Sequence, residues 1–344
     1  MSRFLDRVRD AGIDHSRPRD DWRSHERPFR VLTVASNKGG VGKTTIAANL
    51  AVYVRALRED LPILILGFDD QMLLDRMFAL GPGQARRNMA SALRSGTLAG
   101  AIQLGQYGVH YVPSCTDISS AKRTLDHPFD LQTILHRTDW RGLIIIDTKS
   151  DLEILTQNAL AASDLTLAVV KDEASLYEAK KVYEQLAKWK LPPEHARVVL
   201  SMVNLRIKYR DPTQPDILAL LVSEIRRLGY PLLESFLSVS AKVEALYTNP
   251  TGNALPILTG APKSLVHRQM YHLAHDVLKL LEGTGLPFAG GRAAEPPTVR
   301  PAAAAPIDDR QSMESAPDPV APAASQTAAT DRLSRQLSSD LLGR

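Results

Sequence analysis

The sequence predicts an α/β fold in which a mostly parallel, twisted sheet carries helices on both faces. Short apolar runs rich in β-branched residues alternate along the chain with stretches whose apolar residues have helical spacing. The runs are continuously apolar, as expected of strands that are buried on both sides. The first run, residues 29–36, ends at a glycine-rich loop that leads directly into a helical stretch. Strands and helices in this alternating order are typical of parallel sheets.

The predicted elements follow one another in regular order. Apolar runs predict strands at residues 29–36, 61–68, 108–114, 141–148, 164–170 and 196–204. The pattern is strongest at 141–148 and weakest at 108–114. Helical spacing is clear at residues 44–57, directly after the loop, and at residues 264–282. We therefore expect the last of these helices to close the globular part of the chain.

Composition divides the chain into four segments. We expect the fold to occupy residues 30–286, preceded by an appendage at 1–29 that contains one short amphipathic helix. Residues 287–330 are rich in Ala, Pro, Ser and Gln, which predicts a disordered linker because such a segment buries too little apolar surface. Leucines recur every four residues in 331–344, which predicts a second short amphipathic segment.

Bulk composition excludes several classes of protein. The 344 residues contain one cysteine, Cys115, which rules out a disulfide framework. No run of eighteen apolar residues predicts a membrane span, and the first residues lack the apolar core of a secretory signal. We therefore expect a cytoplasmic protein. The net charge of +4 is too small to identify an acidic partner by itself.

The motif with the clearest chemistry lies between the first strand and the first helix. Its residues are Lys38, Gly39, Gly40, Val41, Gly42, Lys43, Thr44 and Thr45. Glycines allow the backbone N–H groups to approach phosphate oxygens closely, and the helix that follows adds the positive end of its dipole. In such a loop Lys43 reaches the β- and γ-phosphates, and the Thr44 hydroxyl binds Mg²⁺. The motif predicts a nucleotide triphosphate site.

Two residues of this loop depart from the ordinary P-loop. Asn37 stands where that pattern has glycine, and Lys38 adds a second lysine. In both respects the loop resembles the deviant Walker A motif of the ParA/MinD family of ATPases. The resemblance implies a P-loop fold, bound ATP and Mg²⁺, and a dimer that sandwiches nucleotide. It further implies that Lys38 acts in catalysis by contacting the phosphates of the other subunit, like an arginine finger supplied in trans.

The resemblance continues at the second strand. The sequence LPILILGFDDQ is similar to the family's strand that ends in Asp-x-Asp-Pro-Gln. Asp69 matches the second acid, which in the family orients the attacking water, so the resemblance implies a catalytic role. Gly67 replaces the first acid and Asp70 replaces the proline. A second negative charge at Asp70 slows hydrolysis or binds metal; the sequence leaves both open.

The strongest strand resembles the family's Walker B segment. Asp147 stands at its carboxyl end, where an acid can hold Mg²⁺ through a water and fix it against Thr44. The family usually continues Thr-Pro-Pro, whereas this chain has Thr148, Lys149 and Ser150. Lys149 either binds a phosphate or neutralises Asp70, and the sequence does not decide between them.

A further match concerns the base of the nucleotide. Asn204 follows the strand at 196–204, where family members have an asparagine that hydrogen-bonds the adenine edge. An asparagine after a strand is also a common turn residue. The resemblance therefore implies a cofactor-binding role for Asn204 that strand position alone does not establish.

The resemblance implies an ATP-hydrolysing dimeric switch that positions a cellular cargo and is stimulated by an activator protein. The nucleoid is a candidate surface, because non-specific phosphate contacts could come from several basic clusters. These clusters are Arg206, Lys208 and Arg210, Arg226 and Arg227, and Lys263 and Arg268.

Two alternatives remain. A MinD-like ATPase on a membrane surface is less favoured, because the terminal segment carries Asp331 and Asp340 and no bulky aromatic residue. A nucleotide-gated scaffold that hydrolyses little and acts through protein partners is compatible with Gly67, Asp70 and Lys149. The sequence does not name the cargo.

Overall fold

The computed structural model describes residues 18, 22, 27–69, 72–80, 87–115, 118–204, 217–248 and 254–286. These residues belong to one structural unit. Most of the predicted appendage and both predicted tail segments lie outside the described residues, so the division of the chain into four segments stays a prediction.

The described residues form one eight-stranded sheet. Its strands are β1 (Phe29–Ala35), β2 (Ile63–Gly67), β3 (Gln103–Leu104), β4 (His110–Tyr111), β5 (Gly142–Asp147), β6 (Leu165–Val170), β7 (Ala196–Val203) and β8 (Leu232–Ser238). They lie in the order β3-β4-β2-β5-β1-β6-β7-β8. Every neighbouring pair is parallel except β3 and β4. The predicted mostly parallel sheet is confirmed.

Helices connect the strands. They are α1 (Lys43–Leu57), α2 (Leu73–Phe78), α3 (Met89–Ser95), α4 (Ile118–Ala121), α5 (Asp130–His136), α6 (Ile154–Ala162), α7 (Glu173–Lys188), α8 (Ile217–Arg227), α9 (Ala241–Thr248), α10 (Ile257–Gly260) and α11 (Leu265–Glu282). Short 3₁₀ turns occur at Gln106–Gly108, Lys122–Thr124 and Pro193–His195. In the part of the chain that the structure describes, no helix is both long and apolar enough to cross a bilayer.

The core lies on both faces of the central strands. Every residue of β1, β2, β5 and β6 is buried, which explains why these strands are apolar without alternation. Helix α1 packs against β1, β2 and β5, and α11 packs against α1 and β8. Helix α6 packs with alternate residues of β1, β2 and β5, among them Val31 and Leu64, and the Thr33 hydroxyl donates to the Ala159 carbonyl at 3.0 Å. Helices thus cover both faces, as predicted.

The sheet edges differ from the sequence prediction. The run at residues 108–114 supplies only the two-residue strand β4, and the antiparallel strand β3 beside it was not predicted. Strand β8 was not predicted either. Only Leu233 and Leu237 of this edge strand are buried, and it lacks the continuous apolar run that identifies the central strands.

The register brings three chain segments together at one end of the sheet. Val34 of β1 pairs with Asp147 of β5, and Gly67 of β2 pairs with the same Asp147. The segments that leave β1, β2 and β5 therefore start side by side. Ligands of open α/β sheets bind at this carboxyl edge.

Candidate nucleotide site

The loop after β1 has the conformation of a phosphate cradle. Gly40 and Gly42 have φ values of 68° and 93°, in the left-handed region that favours glycine. A Cβ added to Gly42 would lie 3.1 Å from the Ser201 hydroxyl, so a side chain there would also crowd β7. Helix α1 begins at Lys43, and no side chain of the described residues caps it. Its first N–H groups are therefore available to an anion.

Lys43 is buried beneath this loop. Its ammonium donates to the Lys38 carbonyl at 3.3 Å and to the Ser150 hydroxyl at 2.5 Å. Burial lowers the pKa of Lys43, whereas the nearby carboxylates of Asp147, Asp69 and Asp151 raise it. The net effect is a lowered pKa, and the buried ammonium lies within electrostatic reach of these three acids.

Asp147 is the acid at the centre of the site. It is 1% exposed. Burial raises its pKa, a hydrogen bond from Thr44 and the charge of Lys43 partly oppose this, and the resulting pKa is about 7. Its Oδ1 atom is buried without a hydrogen-bond partner among the described residues. Burying a carboxylate oxygen without a partner costs folding free energy unless a cation or a water molecule binds it.

These donors fit Mg²⁺. A threonine hydroxyl and a carboxylate with an unused oxygen are the hard oxygen ligands that this ion prefers. The described residues contain no cluster of three or more His, Cys, Asp or Glu side chains that could hold a metal. Mg²⁺ commonly takes one or two protein ligands and completes its shell with waters and substrate phosphates. Thr44 and Asp147 are consistent with that pattern.

Asp69 lies close to the same cluster. It is half-buried two residues beyond β2, and its charge raises the pKa of both Asp147 and Lys43. Gly67, which stands where the family has its first acid, packs closely against α2. A Cβ at Gly67 would lie 2.8 Å from Cδ1 of Leu74 in α2, which occupies the space that an aspartate would need. Asp70 lies outside the described residues.

Lys38 contacts its own subunit. Its ammonium donates to both carboxylate oxygens of Asp172, at 2.9 and 2.8 Å. Asp172 also caps α7 by accepting from the Ser175 N–H. Burial raises the pKa of Asp172, but the hydrogen bonds from Lys38 and Ser175 outweigh it and lower the pKa to about 2. The preceding loop residue, Asn37, donates to Glu178 of the same helix. Two loop side chains are thus held by α7.

A cavity of about 250 Å³ adjoins the loop at Gly40 and Gly42. Its lining is mainly apolar and comes from α1, the ends of β7 and β8, and helices α9, α10 and α11. Thr45, predicted to bind nucleotide, lies in this lining, whereas Asn204 is exposed and does not. The buried Asn49 joins three lining residues: it donates to the Thr45 carbonyl and the Tyr247 hydroxyl, both at 2.8 Å, and accepts from the Ile257 N–H at 2.7 Å.

The structure therefore brings most of the predicted residues together. Lys43, Thr44, Asp69 and Asp147 converge at the carboxyl edge. Asn204 is exposed directly after β7, and its role in binding the base stays a prediction. Lys149 is half-buried in the loop after β5. Sequence reasoning did not assign the polar residues that support the cluster, which are Ser150, Asp172, Asn49 and Tyr247. Ser150, Asp172 and Tyr247 lie far along the chain from the loop, Asn49 lies inside the helix that follows it, and no spacing marks any of the four.

A parallel sheet, a glycine cradle at the exit of its central strand, a buried lysine and a strand-end acid together define a P-loop nucleotide-binding protein. Comparisons with known proteins agree. The sequence profile of the AAA domain family matches residues 29–191. The chain is 28% identical over 155 residues to the chromosome partitioning protein ParA of Caulobacter vibrioides, covering 42% of this chain and 57% of that protein. It is 33% identical over 145 residues to the chromosome-partitioning ATPase Soj of Thermus thermophilus, covering 42% and 55%.

The chain thus spans little more than half the length of these relatives. A solved structure extends the likeness of the fold: the septum site-determining protein MinD from Pyrococcus horikoshii, complexed with Mg-ADP, superposes with a TM-score of 0.57. That match has 22% identity and covers 74% of this chain and 98% of that one. Together the matches confirm the ParA/MinD family resemblance.

Proposed function

We propose that this protein is an ATP-dependent dimeric switch that hydrolyses ATP to position or segregate a cargo in the cytoplasm. The observation that carries the proposal is the convergence of Lys43, Thr44, Asp147 and Asp69 where β1, β2 and β5 end. The relatives named for chromosome partitioning support the choice of function within the family.

The chain's own residues divide the chemistry between them. The loop N–H groups and Lys43 bind and orient the phosphates. Thr44 would hold Mg²⁺ with Asp147 behind it, and the bound ion would neutralise charge on the phosphate oxygens. Asp69 orients the attacking water, which makes it the residue most closely tied to the rate of hydrolysis.

Lys38 would link hydrolysis to dimer formation. In the dimer that we propose, it leaves Asp172 and contacts the phosphates of the partner subunit. The contact with Asp172 must break first, so a subunit without a partner keeps this lysine away from its own phosphates. An activator protein would act on this closed, ATP-bound state.

Nucleotide titration and phosphate release test the site. Lys43→Ala should abolish ATP binding, whereas Lys279→Ala, a change on the exposed side of α11, should bind ATP like the wild type. Asp69→Ala should bind ATP and scarcely hydrolyse it. Unchanged ATP affinity in Lys43→Ala would show that this loop does not bind the phosphates. Wild-type turnover in Asp69→Ala would show that another residue orients the attacking water.

We further propose that the ATP-bound dimer binds double-stranded DNA without sequence preference. Arg226, Arg227, Lys263 and Arg268 are exposed, while the cluster at residues 206–210 lies outside the described residues. Pairing two subunits doubles the phosphate contacts, and affinity should fall with salt at a log–log slope of roughly −0.9 per contacted phosphate.

A DNA titration at two salt concentrations, with ADP and with ATP, tests this proposal. A liposome sedimentation assay run in parallel tests for binding to a membrane surface. Lys38→Ala should lose DNA binding while retaining ATP binding. Sedimentation with liposomes but no DNA binding would favour a membrane-surface ATPase. Binding to neither would favour a scaffold that acts through protein partners.

A further inference from the structure

Ser150 lies above the phosphate loop, although no family motif assigns it a role. Its hydroxyl accepts the hydrogen bond from the Lys43 ammonium at 2.5 Å. The same oxygen lies 3.8 Å from the position that a Cβ on Gly39 would occupy. Ser150 is therefore placed between Gly39 and Lys43, on the side of the loop where Asp147 and β5 end.

The segment that carries Ser150 is fixed on both sides. Thr148 donates to the Val34 carbonyl of β1 through its backbone N–H at 3.3 Å and its hydroxyl at 3.0 Å. Asp151 accepts from the Glu153 N–H at 3.0 Å and from the Thr156 hydroxyl at 3.1 Å, at the start of α6. The backbone on both sides of Ser150 is thus anchored to β1 and to the start of α6.

The direction of the phosphate chain follows from the cavity. The cavity lining includes Gly40, Gly42 and Thr45 but not Gly39. A nucleotide with its nucleoside in this cavity would meet the loop first at Gly40 and Gly42. Its last phosphate would then lie towards Gly39 and Ser150, and a diphosphate would end short of them.

We propose that Ser150 distinguishes ATP from ADP by exchanging hydrogen-bond partners, an inference that rests on the proposed function. In the structure its oxygen accepts from Lys43, and with ADP, whose β-phosphate Lys43 also reaches, the hydroxyl meets no γ-phosphate. When a γ-phosphate is present, Lys43 turns to the phosphates and the Ser150 hydroxyl donates to a γ-phosphate oxygen. A hydroxyl can do both because it is donor and acceptor, whereas the proline that the family usually has nearby has no side-chain donor.

The test compares the affinities for a non-hydrolysable ATP analogue and for ADP, each with Mg²⁺, by calorimetric titration. Ser150→Ala should bind the analogue about tenfold more weakly, as expected for one lost hydrogen bond to a charged group. Its ADP affinity should stay within about twofold of the wild type. Ser150→Thr, which keeps a hydroxyl, should restore the analogue affinity.

Ser201→Ala is the matched control. Ser201 lines the cavity beside Gly42 rather than Gly39, so its loss should change the two affinities by the same factor. Equal losses for analogue and ADP in Ser150→Ala, or no loss for either, would overturn the inference. A wild-type protein that binds neither nucleotide would instead overturn the proposed function, and this inference with it.

Discussion

Replacing Asn49 by alanine should weaken both the fold and the nucleotide cavity. Asn49 is completely buried, and its amide joins α1 to α9 and α10 through hydrogen bonds to Tyr247 and Ile257, with a third to Thr45 of its own helix. Alanine leaves the buried Ile257 N–H without its acceptor, which costs about 1–3 kcal/mol, and the two lost donor bonds add about 1 kcal/mol between them. We expect a total loss of about 2–4 kcal/mol, equivalent to a fall in Tm of roughly 5–15 °C in a domain of this size.

Asn158 provides a matched comparison. It too is completely buried, accepting from the Leu131 N–H at 2.8 Å and donating to the His127 and Ile154 carbonyls at 2.9 Å. Asn158→Ala should therefore lower Tm by a similar amount. None of its partners lines the cavity. Only Asn49→Ala should also weaken binding of ADP and of an ATP analogue, by roughly fivefold if about 1 kcal/mol of support for Tyr247 is lost.

Thermal unfolding followed by circular dichroism gives the stabilities. Nucleotide titration at a temperature well below the lowest Tm of the variants gives the affinities of the folded proteins. If Asn49→Ala binds both nucleotides as the wild type does, or if Asn158→Ala loses as much affinity, then Asn49 is a core residue only and the reasoning about the cavity wall is wrong.

Three further predictions concern the surroundings of the loop. Asp172→Asn should lower stability at pH 7 by about 1 kcal/mol or less, because its contact with Lys38 is partly exposed. Since the fold lowers the pKa of Asp172 from 3.8 to about 2, this stabilisation is complete above the ordinary pKa and disappears as pH falls to about 2; urea unfolding at pH 7 and pH 3 should show the difference shrinking. Gly67→Ala should lower the free energy of unfolding by about 1–3 kcal/mol through overpacking against Leu74. Leu74→Ala should then cost less stability in the Gly67→Ala background than in the wild type, and additive losses in this double-mutant cycle would exclude the clash. A chain that ends at residue 286 should bind ATP and unfold with nearly the full-length midpoint, because α11 ends before the Ala- and Pro-rich segment; a midpoint lower by many degrees would show that the segment packs on the fold.

The central strands of the fold could be predicted because their apolar sequence pattern directly reflects their burial. Strands β1, β2, β5 and β6 are buried on both faces, so each leaves a continuous apolar run in the sequence. The two-residue strand β3 forms through pairing at the sheet edge and leaves no such pattern, and β4 leaves only the weak run at 108–114. β8 is half-exposed, and its sequence does not separate it from a loop.

The site shows the same division. Lys43 and Thr44 lie in a contiguous motif, and Asp147 ends the strongest strand, so short-range patterns found them. Ser150 lies 107 residues beyond Lys43, and Asp172 lies 134 beyond Lys38; the fold alone brings each pair together. The sequence could not predict whether Asn204 lines the cavity, because the cavity wall is formed by α9 and α10 together with the ends of β7 and β8.

The cavity has a consequence for how this protein could diverge. The stretch that matches the AAA domain family ends at residue 191, yet most of the residues that line the cavity follow it, from Ser201 to Val266. In the proposed function, phosphate handling and nucleoside recognition are thus encoded in consecutive parts of the gene. Exchange of the second part between homologous chains would alter the choice of base while leaving the hydrolytic machinery intact, provided that β7 still pairs with β6. Selection can therefore act on the two properties separately.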